Sequence, residues 1–409
     1  MFKIFHQYKG LSRDIYILFI GRVVGAMGTF IWPMMTLILS AKFHYDAPTI
    51  ALIMIVGGAI QIPAQALGGK WADKYGRKNV ILISSYLMVA GYFLNAFLPL
   101  GLHTIIIFFL SGFFGTASHP ASHALIADKT SSKDRERAYS LSYLGFNLGF
   151  ILGPSIGGFL FQNHLGLAFF IDGLTTLFGT ILIHIYIQDG LREGEHIEIG
   201  DYEKESHHDS IFKLFKTNSV LWFYVLMIAI SEVMYMQVNF LLPLQLEKTM
   251  TNFSEFYGFL SSFNGLVVIL FTPLLTIWLK KTIEIKRFIL GTLLYMFTFV
   301  LFALLFNYWI IFIIGMWLFT LGEISFAITR GAYVTRRIPT THRARVEASI
   351  GVVSMVLIGV GQYFFSQTLK YIDYNYAWFI IFGFGLILMI LFPFFLHLDQ
   401  KRYPKLYNA

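Results

Sequence analysis

The sequence predicts an all-α membrane protein of twelve transmembrane helices, arranged as two six-helix pseudo-symmetric bundles with both termini in the cytoplasm. Three observations predict it: an apolar composition with little charge, twelve apolar runs of membrane-crossing length, and basic residues gathered in alternate loops. Of 409 residues, 56% are hydrophobic, 18% aromatic and 13% charged, where soluble domains carry about 25% charge. That composition excludes disorder and collagen-like repetition. The net charge of +8 does not mark a nucleic-acid binder, because the basic residues lie in short clusters between apolar runs and form no continuous solvated stripe. With no cysteine, disulfide scaffolds, thiolate metal sites and thiol nucleophiles are all excluded.

Charge, proline and glycine mark off the runs, each close to the roughly 20 residues that cross the hydrocarbon as a helix. Span 1 (14–40) follows the basic stretch Met1–Arg13, with no cleavable signal before it; span 2 (48–69) runs to Gly69; span 3 (79–99) starts after Lys78; span 4 (103–127) stops at Asp128. Span 5 (138–162) begins after Arg137, and span 6 (165–187) closes the first half. Spans 7 (219–246), 8 (253–278), 9 (285–307), 10 (309–334), 11 (346–369) and 12 (375–397) make up the second. The runs are continuous and do not alternate, so they read as helices, which satisfy every backbone amide within one segment.

Orientation follows from Lys and Arg, which concentrate in short cytoplasmic loops. Of 31 such residues, 26 lie at the termini, in the central segment and in the loops after spans 2, 4, 8 and 10; the opposite side holds only Lys42, Lys248 and Lys370. Residues 1–187 read as one bundle, 188–218 as a cytoplasmic linker and 219–409 as the second bundle. The linker's His207-His208 pair could hold a metal, but a solvated charged linker accounts for it as well. An offset of 208 residues places Arg135-x-Arg137 on Arg343-x-Arg345 and Gly153 on Gly361, the kind of internal repeat found in transporters whose two bundles rock about a central site.

Between spans 2 and 3 stands Gly69-Lys70-Trp71-Ala72-Asp73-Lys74-Tyr75-Gly76-Arg77-Lys78. Gly69 would allow close helix approach, Gly76 a tight turn, Asp73 an acceptor for free amides at a helix start, and Arg77 a partner for a carboxylate. This loop resembles the signature of the major facilitator superfamily. The resemblance implies that the carboxylate is Asp128 and that the pair latches one conformational state; the alternative is that these charges only fix topology. The corresponding loop in the second half has Lys281 where Asp73 would fall, so any latch there must differ.

In span 5, Gly145-Phe146-Asn147-Leu148-Gly149-Phe150-Ile151-Leu152-Gly153-Pro154-Ser155-Ile156-Gly157-Gly158 resembles the antiporter motif of the same superfamily. Gly149, Gly153, Pro154, Gly157 and Gly158 would permit tight packing and a bend, giving a hinge or seal, or small-residue packing alone. The basic residue common in span 4 of the drug antiporters is replaced by Ser111.

Ionisable groups at membrane depth mark function by default. Arg22, Asp172, Glu232, Glu323 and Arg330 qualify. Glu323 is the leading proton carrier, Glu232 the next and Asp172 a third, with a structural salt bridge from Arg22 to one of the span 7 and span 10 acids as the competing reading. Arg330, nearer the cytoplasmic end of span 10, reads as a gate or lipid-phosphate contact. His119 and His123, flanking Pro120, could form a proton relay or simply pack. The resemblance implies that spans 1, 4, 7 and 10 line the cavity. Arg22, Trp32, Gln61, Tyr143, Asn147, Tyr235, Gln237, Asn239 and Asn264 are then its candidate substrate-facing groups, suited to amphipathic organic cations.

The reading that follows is a proton-coupled secondary transporter of the bacterial plasma (inner) membrane, exporting small amphipathic or drug-like compounds by alternating access. Its partners are a small-molecule substrate, protons and membrane lipid, with no nucleic acid and no metal; it needs no cofactor beyond the proton gradient, and the monomer is the working unit. Proton-coupled peptide uptake is a second reading: Leu321-Gly322-Glu323-Ile324 is similar to span 10 of the oligopeptide transporters, but Phe19-Ile20-Gly21-Arg22 lacks their acids before the arginine. A lipid flippase or a non-transporting sensor is a third. An enzyme is disfavoured, since no nucleotide-binding glycine loop, HExxH or GxSxG occurs.

Overall fold

The computed structural model describes residues 8–130, 132–188, 218–337 and 340–407. The central linker with His207-His208 falls almost wholly outside the described residues, as do the side chains of Arg135, Arg343 and Arg345. Among the described residues twelve helices are long and apolar enough to cross a membrane, one for each expected span, and no strand occurs. They are Arg13–Lys42, Ala47–Tyr75, Arg77–Phe97, Leu102–Ile126, Arg137–Phe161, Leu165–Tyr186, Val220–Thr249, Phe253–Leu279, Glu284–Leu304, Trp309–Arg330, Ser349–Thr368 and Tyr374–Arg402. The outward faces carry large apolar side chains such as Ile277, Phe159 and Ile390, as hydrocarbon contact requires.

Two spans are interrupted where their sequences oppose a continuous helix. Span 1 is helical over Arg13–Met27, breaks, and restarts over Ile31–Leu37 before a π-helical turn, Ile38–Lys42. The restart leaves amides without intrahelical acceptors, and the Asp172 carboxylate of span 6 accepts from the backbone N–H groups of Phe30 and Ile31. Span 5 breaks at Ile151-Leu152, between Ser132–Phe150 and Gly153–Phe161. Pro154, which has no N–H to donate, sits at the start of the second piece.

The described residues fall into two compact units, the first drawn from Met1–Tyr45, Ile53–Ile197 and Leu246–Ile269, the second from Asp46–Leu52, Glu198–Gln245 and Leu270–Ala409. In the first, span 3 packs on spans 4 and 6, and span 1 on spans 5 and 6; in the second, span 9 packs on spans 10 and 12. The 3–4 and 3–6 pairs thus recur six spans later as 9–10 and 9–12. The Gly153–Gly361 correspondence also has a structural counterpart. A Cβ on Gly153 would stand 2.9 Å from the Thr29 carbonyl oxygen of span 1, and one on Gly361 would stand 2.9 Å from Val233 of span 7.

Within the first unit, span 5 is held close on two sides. A Cβ at Gly149 would lie 2.2 Å from the Val23 carbonyl oxygen, and one at Gly158 would lie 2.5 Å from that of Ser254 in span 8. Ser155 and Ser262 add a hydroxyl–hydroxyl bond of 2.8 Å across the span 5–span 8 contact. The close approach expected at Gly69 belongs instead to its neighbour Gly68, where a Cβ would meet the Ala117 carbonyl oxygen at 2.0 Å. The helix turns Gly68 towards span 4 and leaves Gly69 an ordinary 4.0 Å from Pro120. Gly68→Leu should therefore lower stability by about 1–3 kcal/mol or abolish folding, measured by thermal unfolding of the detergent-solubilised protein, while Gly69→Ala stays within about 0.5 kcal/mol of the parent.

Candidate functional site

Spans 7 and 10 each present a helical stripe to a cavity of about 230 Å³ in the second unit. Ile228, Ser231, Glu232 and Tyr235 come from the first helix, Glu323, Phe326, Ala327 and Arg330 from the second, each set at three- and four-residue spacing, and Tyr295 of span 9 completes the lining. Arg330 Nη1 donates to Glu232 Oε1 at 3.1 Å, with the two side chains 32% and 31% exposed. The Tyr235 hydroxyl donates to Glu323 Oε1 at 3.4 Å. An aromatic wall backs the acids: Tyr235 stacks on Phe319 at 5.4 Å, Phe319 on Tyr295 at 4.8 Å and Tyr295 on Phe326 at 5.4 Å. Two carboxylates, one guanidinium and π faces together can receive an organic cation, exchange it against a proton, or re-pair the arginine.

Of the intramembrane charges, Glu232, Glu323 and Arg330 are brought together. Arg330 is therefore a cavity residue, not the terminal gate or lipid contact that its sequence position suggested. It lies two turns beyond Glu323 on the same face, and its long side chain reaches across to span 7. It, rather than Arg22, supplies the cation for Glu232. Arg22 is exposed on the first unit, with its guanidinium 4.9 Å from the centre of the Phe146 ring. Asp172, expected as a third coupling acid, is buried and spends its oxygens on the amides at the span 1 restart.

Among the candidate cavity residues only Tyr235 lines this cavity. Trp32 is 47% exposed and stacks on Phe108 at 6.1 Å; Gln61 accepts from Thr116 at 3.3 Å; Tyr143 is exposed. Asn147 is buried and donates to the Tyr143 carbonyl at 2.9 Å. Asn239 is exposed and Asn264 half-buried. Gln237 is wholly buried near Gly361, and neither of its amide atoms has a hydrogen-bond partner among the described residues. Arg22, Trp32, Gln61, Tyr143, Asn147 and Asn264 belong to the first unit and the cavity to the second; Gln237 and Asn239 share span 7 with the cavity but point elsewhere, because side chains one residue apart on a helix differ by about 100° in direction.

At the junction of spans 2 and 3, Gly76 adopts φ +90° and the chain turns into Arg77–Phe97. Arg77 Nε then stands 3.2 Å from Asp128 Oδ2 at the end of span 4. The contact is ionic, since that N–H has no aligned acceptor. Asp73 is mostly exposed and lies 3.5 Å from Arg77, so it supports the arginine and does not receive amides from a helix start.

The second half carries a corresponding pair with its signs exchanged. Arg336 stands 208 residues after Asp128 and donates to Glu284, at the head of span 9, at 2.6 Å. Arg337, fully buried, contacts Glu284 at 3.3 Å and Asp399 of span 12 at 2.8 Å. Tyr333 and Tyr407 both donate to Asp399. Burial opposes the charge of Arg337, but Tyr333, Asp399 and Glu284 more than offset this and hold the guanidinium above its ordinary value. Sequence reading missed the cluster because it compared loop residues; the 208-residue offset applied to Asp128 would have found it.

A helical bundle of twelve membrane spans, two internally related halves and a charged cavity between helices define a secondary transporter. The Major Facilitator Superfamily model matches residues 17–299. The chain belongs to this superfamily and is a multi-pass protein, which its bacterial relatives place in the plasma membrane. It is 22% identical to a Na(+), Li(+), K(+)/H(+) antiporter of Planococcus maritimus over 89% of this chain and 88% of that one. It is 30% identical to multidrug resistance protein 1 of Bacillus subtilis over 39% and 41%, and 30% identical to the class B tetracycline resistance protein of Escherichia coli over 37% and 38%. Among solved structures, a POT family transporter in complex with 5-aminolevulinic acid superposes with TM-score 0.75 at 16% identity, covering 95% of this chain and 97% of that one. The nucleoside transporter NupG does so with TM-score 0.73 at 13% identity, over 93% and 98%. These likenesses show the fold.

Removing Arg337 leaves the buried Asp399 with its tyrosines and no cation, and Glu284 with Arg336 alone. Arg337→Leu should cost about 3–5 kcal/mol, the range for a buried pair robbed of one partner, read as a lowered unfolding midpoint in detergent. Arg77→Gln, at a more exposed pair, should cost about 1 kcal/mol or less.

Proposed function

We propose that the protein is a proton-coupled antiporter that exports small amphipathic or drug-like cations by alternating access, with Glu323 as the proton carrier and Glu232 as the second acid. The cavity of spans 7, 9 and 10 supports this reading, because it sets two carboxylates against an aromatic wall. A cation about 4 Å from one carboxylate gains roughly 4 kcal/mol at an effective dielectric of about 20, about a thousandfold in affinity. Protonation of that carboxylate removes the gain, so proton and substrate compete and the gradient drives release. Glu323 is named as the carrier because it lines the cavity near mid-depth of span 10 and accepts from the Tyr235 hydroxyl, opposite the Glu232–Arg330 pair.

Arg77–Asp128 and Glu284–Arg336 act in this scheme as latches at the ends of spans 4 and 10, opening as the protein changes state. The cavity and both ion pairs are complete within a single chain, which supports the monomer as the working unit. A second reading, exchange of a monovalent metal cation for protons, is favoured by the Planococcus antiporter, whose likeness extends over nearly the whole chain. Stacked rings suit an organic cation better than a small hard ion, which takes oxygen ligands.

In proteoliposomes with an imposed pH gradient, Glu323→Gln should abolish proton-driven extrusion of a cationic dye while leaving dye counterflow intact. Survival of both would remove Glu323 as the carrier. Proton-driven Na(+) flux without dye transport in the parent protein would favour the metal-cation reading.

A further inference from the structure

The segment that follows span 12 closes over the Arg337 cluster. Pro404 has no N–H to donate and disfavours a helical residue before it, so the helix stops at Arg402 and Tyr403 leaves helical geometry at φ −125°, ψ 56°. One 3₁₀ turn, Pro404–Leu406, then carries the chain back, and the Tyr407 hydroxyl donates to the Asp399 carboxylate eight residues earlier. Tyr403 is buried, and its hydroxyl accepts from the Asn218 side-chain amide at 2.7 Å, at the head of span 7. Its ring centre lies 5.8 Å from the Arg337 guanidinium, and that of Tyr333 lies 4.1 Å from it. Arg337 thus has two rings and two carboxylates around it and no exposed side-chain surface.

These walls differ in how they are built. Tyr333, Glu284 and Asp399 belong to long helices, whereas residues 403–407 make a single turn, with Pro404 and Lys405 exposed and Leu406 half-buried. Such a turn opens at far lower cost than a packed helix. A buried ion pair changes partners only when water or a new partner reaches its charges, and at Arg337 the turn is the wall that can let water in. Glu284 is held by Arg336 and Arg337 together, so it cannot part from the first while the second stays sealed against it. Resting on the latch reading above, we propose that residues 403–407 are a strap that controls when the second-half latch opens. Docked, the strap keeps water from Arg337 and holds the end of span 10 against spans 9 and 12. Lifted, it gives Arg337 the access that partner exchange needs, and Glu284 is released.

The chain has no cysteine, so one placed at Val334, buried one turn before Arg337 on the same helix, reports opening there without background. The full chain is held in nanodiscs with no substrate and no pH gradient, so a failure of proton coupling leaves the result untouched. The rate at which a soluble maleimide labels Val334→Cys follows the population of the open form when opening and closing outpace the reaction. Tyr407→Phe, which removes a hydrogen bond to a charged acceptor, should raise that rate about tenfold. Tyr403→Phe should raise it less, and a chain stopped after Arg402 more than either. Leu141→Cys, in the core of the first unit, should label equally in all of them. An unchanged Val334→Cys rate in Tyr407→Phe overturns the proposal, as does a rise matched at Leu141→Cys, which would mark general loosening. Should the shortened chain not fold, the Tyr407→Phe rate decides alone. Glu284→Gln opens the latch directly: if it speeds labelling and Tyr407→Phe does not, the latch stands and the strap is overturned; if neither does, both are.

Discussion

In hydrocarbon, a charge or amide that leaves water must find its partner inside the protein, and this one constraint orders the features described above. Most of each span meets it by helix hydrogen bonding alone. Where a helix breaks, something else supplies the acceptor: Asp172 takes the amides of Phe30 and Ile31 where span 1 restarts, and Pro154 removes one donor where span 5 does. Where a charge is buried outright, opposite charges are set around it, as Glu284 and Asp399 are around Arg337. The cavity is the place where the constraint is met in more than one way. Glu232 pairs with the Arg330 guanidinium, and Glu323 accepts from the Tyr235 phenol in the same chamber.

Exposure separates the structural ionisable groups from those proposed to take part in transport more sharply than depth in the membrane does. Arg337 and Asp399 are wholly buried and bound by several partners; Glu232 and Arg330, paired at 3.1 Å, remain about a third exposed. A group that must change partners during a cycle needs such access, whereas a group that fixes helix ends needs none. Asp172 resembles the fixed set in being buried and bonded to backbone amides.

The fold was legible in the sequence because its signals are long and one-dimensional. Twelve apolar runs and their punctuation map directly onto twelve helices, and the glycine turn before Arg77 is written in five nearby positions. The Arg77–Asp128 pair was legible as well, through the motif. What could not be read was direction around a helix axis. Gly68 and Gly69 are neighbours in sequence, yet only the first meets span 4 closely; Tyr235 and Gln237 lie two residues apart, yet one lines the cavity and the other is buried near Gly361. Partner choice between distant spans was hidden for a similar reason. Both Arg22 and Arg330 could have served Glu232 by composition, and only packing selects the second.

The exchanged signs of the two end pairs bear on how the chain assembles. The first half has a cation opening span 3 and an anion closing span 4; the second has an anion opening span 9 and a cation closing span 10. Related hairpins inserted one after another into the same bilayer are at risk of pairing with the wrong sibling. Here, span 3 docked on span 10 would face Arg77 with Arg336, and span 9 docked on span 4 would face Glu284 with Asp128, so each exchange brings like charges together in a poorly solvated place. An ancestral duplication with identical ends would have lacked that safeguard, and the inversion lets two similar halves mature side by side without trading helices.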